Sequence, residues 1–188
     1  DLDCPNDGVN NKLTLIYDEP KTPLSDTDGA ALQMYWKGEI DLTPYLGICY
    51  TYTDYETQKV KHGTWSYGQE APYGLKYEFK LVPYTIDGAK TTDSKYSYFS
   101  DEKKGTLIAC SVDEKGEPVK NVTSETSIGR EPLVQVLVKA NDGTVVLDAY
   151  ICVRIVPTPP TPDDPVDPSN VLVSNYPADN YTFDLCHA

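Results

Sequence analysis

Aromatic side chains crowd the stretch from Tyr35 to Tyr73, and they are the first residues whose chemistry merits reading. Exposed tryptophan and tyrosine rings stack on sugar faces or anchor a protein partner, because each joins a large apolar face to a polar tip. Buried, the same rings are core. Trp65-Ser66-Tyr67-Gly68 lies beside Pro72-Tyr73-Gly74, a turn-like composition that favours chain reversal at the surface. Trp65, Tyr67 and Tyr73 are therefore expected to be exposed and to form the candidate ligand-binding platform.

Catalysis has less to stand on. A hydrolase needs a nucleophile with its base, or paired acids, held in a pocket. The chain has no Gly-x-Ser-x-Gly elbow, and of its two histidines, His62 and His187, only His62 lies away from the terminus. With 29 acidic residues, chance carboxylate pairs are inevitable and none is singled out. No catalytic residue is expected. Asp26-Thr27-Asp28-Gly29, and Asp1-Leu2-Asp3 with Asn6-Asp7-Gly8, offer oxygen ligands beside glycine turns. A calcium loop of the EF-hand type needs a longer ladder of ligands closed by Glu, and Asx turns account for both stretches without metal. No metal site and no cofactor are expected.

The formal net charge of −13 repels a phosphate backbone and an anionic bilayer alike, which argues against nucleic-acid and membrane-surface partners. No apolar run reaches the ~18 residues of a membrane span. The chain begins at Asp1 with no targeting signal and reads as an excised or matured piece. The five cysteines are Cys4, Cys49, Cys110, Cys152 and Cys186, none in C-x-x-C spacing. Cys110 and Cys152 each sit in an apolar run and read as buried free thiols; a disulfide between them is the alternative.

The elements that must position these residues are strands. Tyrosine dominates the aromatics, with fifteen against three Phe and two Trp, and fifteen prolines punctuate the chain; both suit pleated, half-buried surfaces joined by turns. Leu75–Val82 alternates apolar and polar with period two. Leu133–Ala140, the turn Asn141-Asp142-Gly143 and Thr144–Val156 predict a hairpin, since Asn, Asp and Gly tolerate positive φ. Further strands are predicted at Lys12–Tyr17, Ile48–Tyr55 and Gly105–Val112; Gly29–Lys37 reads as a strand, with a short helix as the alternative, and Lys59–Pro72 reads as strand plus loop. From Pro157 to Pro168 prolines recur every few residues, which favours a stiff, extended spacer. After it, Val171-Leu172-Val173 is a strand that either packs back or begins a neighbouring module.

Within residues 75–156, three features occur in order: the period-two strand, the turn Val112-Asp113-Glu114-Lys115-Gly116, and Gly129-Arg130-Glu131-Pro132 leading into the long strand. This part resembles bacterial Ig-like modules in modular surface proteins of gut anaerobes. The resemblance implies an exported, surface-anchored protein, outer-membrane associated, and no catalytic residues. The expected architecture is all-β, two Ig-like β-sandwich domains in tandem: residues 1–74, an N-terminal β domain; 75–156, the Ig-like sandwich; 157–170, a Pro-rich linker; and 171–188, a short C-terminal segment. The expected function is non-catalytic display or adhesion toward an extracellular glycan or protein. The alternatives are a carbohydrate-binding module and an accessory domain of a surface glycosidase.

Overall fold

The computed structural model describes residues 13–17, 32–66, 74–160 and 172–174. They form an all-β protein; among them there is no α-helix, only short 3-10 turns such as Thr43–Tyr45, Asp93–Tyr96 and Glu125–Ser127. In chain order the strands are β1 (Leu13–Tyr17), β2 (Leu32–Tyr35), β3 (Glu39–Asp41), β4 (Leu46–Thr53), β5 (Val60–Ser66), β6 (Lys76–Val82) and β7 (Ser97–Phe99). They continue as β8 (Thr106–Ala109), β9 (Ser111–Val112), β10 (Pro118–Val119), β11 (Leu133–Lys139), β12 (Val145–Val156) and β13 (Leu172–Ser174).

The predicted hairpin is the centre of the largest sheet. β11 pairs antiparallel with β12 on one side and with β6 on the other. Gly143 closes the hairpin at φ +86°, a conformation open to glycine at little steric cost. β13 pairs antiparallel with Asp148–Tyr150 of β12, so the strand after the Pro-rich stretch packs back. Residues 161–170 of the expected linker lie outside the described residues. β1, β4 and β5 make a second antiparallel sheet, β3, β8 and β7 a third, and β9 with β10 a small hairpin.

The expected boundary near residue 74 is not where the strands divide. β2 pairs in parallel with Val153–Val156 of β12. β3 pairs with β8, so two strands from before residue 74 join sheets built from residues beyond it. One hydrophobic cluster unites Met34, Leu42, Ile48 and Trp65 with Phe79, Leu107, Val136 and Ile151. The period-two pattern explains the inward face: Val134, Val136 and Val138 of β11 are buried in it, as are Ala149, Ile151, Val153 and Ile155 of β12. Burying such a branched side chain contributes about 1.5–3 kcal/mol. A core drawn from both segments therefore couples them energetically.

Candidate functional site

Where β6 ends, Pro83 removes a backbone donor and the ladder with β11 stops. The chain turns back on itself there. Thr85 N–H donates to Ala89 O at 2.8 Å and Gly88 N–H to Thr85 O at 2.9 Å, while the Thr85 hydroxyl accepts from Ala89 N–H at 3.1 Å. Thr91 N–H donates to Pro83 O at 3.1 Å. Tyr84 and Lys90 form an antiparallel bridge across this neck, and directly opposed residues of such a pair point to one side with Cβ atoms about 5 Å apart. Tyr84 is 45% exposed.

Facing this hairpin is Arg130. Its backbone is pinned to the end of β12: Gly129 N–H donates to Ile155 O at 2.8 Å, and Ile155 N–H to Arg130 O at 2.9 Å. Its guanidinium lies over the Tyr96 ring, 4.6 Å from the centroid, and Nη1 donates to Asp93 Oδ1 at 3.2 Å. Asp93 Oδ2 accepts from Glu131 N–H at 3.0 Å. A ring below and a carboxylate at the side fix the plane of the guanidinium, yet 41% of the side chain stays exposed. The next residue, Glu131, turns away and accepts from Arg154 Nε at 2.7 Å.

Between these walls lies an open depression of about 710 Å³, lined by Pro83, Tyr84, Lys90, Thr91, Thr92, Asp93 and Arg130. It offers an aromatic ring, two cations, hydroxyl groups and a fixed carboxylate. An apolar face with a few positioned polar groups is the make-up of a small-ligand site. Both oxygens of Asp93 are already engaged by donors, which suits holding a group in place better than moving a proton.

The expected platform is found elsewhere, in part. Trp65 is 5% exposed and belongs to the core, so its expected exposure is corrected. It sits opposite Ile48 in the β4–β5 pairing, and its ring stacks on Tyr77 at 5.2 Å with 22° between planes. Alternation along β5, not the Gly and Pro that follow, sets which way it points. Tyr67 and Tyr73 lie outside the described residues. His62 is exposed on β5. The acidic turns at residues 1–8 and 26–29 lie outside the described residues; among those described, no group of three or more His, Cys, Asp or Glu side chains could hold a metal ion.

Cys110 and Cys152 are free thiols, as their apolar runs suggested, one buried and one half-buried. Burial pushes Cys110 up to about 11. Cys152 is pushed up to about 12, first by burial and then by the nearby Glu131 charge. Neither thiol is primed as a nucleophile at neutral pH. Cys49 is disulfide-bonded.

None of the lining residues is marked as a site by local sequence, although Arg130 lies in the Gly129–Pro132 motif. The readable signal was an aromatic directly after a strand-ending proline and before a tight turn. Tested against protein-family models, curated proteins and solved structures, the chain has no match.

Proposed function

We propose that this chain is a non-catalytic adhesion module of a secreted bacterial surface protein, and that it binds glycan in the depression between Tyr84 and Arg130. The observation that carries this reading is the composition of that depression. An exposed tyrosine ring stands beside Lys90, with Thr91, Thr92 and a clamped Arg130–Asp93 pair around it. A sugar presents a C–H face to an aromatic ring and a rim of hydroxyls to charged and hydroxyl groups, and these walls offer partners for both.

The Ig-like reading of residues 75–156 goes with this proposal. It is supported by the antiparallel β6–β11–β12 arrangement and the tight turns between strands, while strands from before residue 74 enlarge the same body. The disulfide at Cys49 supports export, because disulfides persist in oxidising compartments.

The test is binding of the purified chain to an immobilised panel of neutral and acidic polysaccharides, with Tyr84→Ala beside it. Loss of a stacking anchor typically costs about 2 kcal/mol or more, so affinity should fall more than tenfold at an unchanged melting temperature. Undiminished binding by the variant, or no binding to any member of the panel, would overturn the reading.

A further inference from the structure

The three charged residues of the depression do not contribute equally. Asp93 gives one oxygen to Arg130 and the other to a backbone N–H, so its charge is answered within the wall. Glu131, the next acid along the chain, is paired with Arg154 and does not line the space. Asp87, at the tip of the same hairpin, does not line it either. Lys90 forms no ion pair among the described residues, and its backbone is fixed opposite Tyr84. With the Arg130–Asp93 pair counted as neutral, one positive charge remains. On a chain of net charge −13, that is a local reversal of sign beside the one aromatic ring of the depression.

We propose that the ligand is an acidic saccharide, and that Lys90 reads its anionic group while Tyr84 carries the ring. The inference rests on the glycan reading above and adds the substrate class. An ammonium on a flexible stem is a point charge with three rotatable donors, suited to a carboxylate or sulfate whose angle varies between sugars. Arg130, held flat on Tyr96 and tied to Asp93, has less freedom to follow such a group. The net charge of −13 favours selection as well: the chain as a whole repels anions, so an acidic glycan is accepted where that field is locally reversed.

The experiment uses matched pairs: polygalacturonate against its carboxyl-reduced form, and a sulfated galactan against its desulfated form, titrated into the purified chain. Binding of an acidic member at least tenfold tighter than its neutral partner is expected, and the two pairs separate carboxylate from sulfate. The preference should weaken between 50 mM and 500 mM salt on the order expected for a single charge contact. In Lys90→Met it should fall to about threefold or less, because the acidic member loses far more affinity than the neutral one. Equal affinity for both members of each pair, or a preference undiminished in Lys90→Met, would overturn the acidic class and leave the glycan reading standing. No binding to any of the four would overturn the glycan reading itself.

Discussion

Trp65 and Tyr84 make a useful pair. Each stands near glycine and proline, where local composition points to an exposed loop. Trp65 is 5% exposed and Tyr84 45%. The difference is position relative to a ladder. Trp65 is still paired, opposite Ile48, on the inward side of β5, so its ring joins the stack that continues through Tyr77 to Phe79. Tyr84 comes two residues after β6 has ended and after Pro83 has interrupted the pairing, so no alternation directs it inward. β6 itself shows both outcomes, with Tyr77 and Phe79 buried along it and Tyr84 delivered to the surface beyond its end. Aromatics within the register build the core; those past its end are free to meet a ligand.

The contrast breaks most easily at the core. Trp65→Ala should cost about 3–5 kcal/mol of stability, as for other large buried aromatics. Urea denaturation should show a lower midpoint at an unchanged slope. A loss below about 1 kcal/mol would mean that the ring contributes little to the stack. The same stack should be sensitive from below. Gly105 has φ +73°, and a Cβ placed there would come within 2.6 Å of Phe79 Cζ. Gly105→Ala should therefore cost about 1–3 kcal/mol from backbone strain alone, with a further loss if Phe79 is displaced. Tyr84→Ala, by contrast, should stay within about 0.5 kcal/mol of wild type. A thermal melt of the three variants side by side orders them. If Tyr84→Ala destabilised as much as Gly105→Ala, the surface assignment of Tyr84 would fall.

The sequence was most legible where one physical rule acted alone. The β11–β12 hairpin could be read from two β-branched runs around Asn141-Asp142-Gly143, because turn chemistry and alternation agree there. β6 was equally plain from its period of two. The parallel pairing of β2 with β12 was not legible. Nothing local marks a partner more than a hundred residues away, and the turn-like composition of Pro72-Tyr73-Gly74 does not divide the strands, since β2 and β3 pair with β12 and β8. The depression was illegible for the same reason. Tyr84 and Lys90 are brought together by a turn that local sequence can suggest. Arg130 arrives from another part of the chain, tied down by hydrogen bonds to Ile155. Its neighbour Glu131, half of an apparent charged pair in sequence, is drawn off to Arg154. Trp65 is buried because strand parity along β5, not the turn-like composition that follows it, sets the direction of its ring.

The smallest expected effect lies on the reverse face of the strand that carries Tyr77 and Phe79. Glu78 points away from the core and lies between two lysines, with Oε2 2.6 Å from Lys139 Nζ and Oε1 3.0 Å from Lys80 Nζ. The hydrogen bond from Lys139, helped by Lys80, holds its carboxyl below the usual range for glutamate. A carboxyl whose folded-state pKa is depressed binds its proton less readily than in the unfolded chain. Its contribution is therefore present above the ordinary glutamate pKa, about 4.3, and is lost as pH falls through the lowered value. All three side chains retain access to water, at 22% for Glu78, 25% for Lys139 and 45% for Lys80, so screening keeps the contribution below about 1 kcal/mol. Glu78→Gln should be less stable than wild type by that small margin at pH 7. The gap should close as the pH is taken below the glutamate range, and it should narrow in about 1 M salt, where the Debye length is near 3 Å. Denaturant melts of both proteins at pH 7 and at pH 3 measure it. A gap that stayed constant across that interval would mean that packing, not charge, is what Glu78 supplies to the outer face of β6.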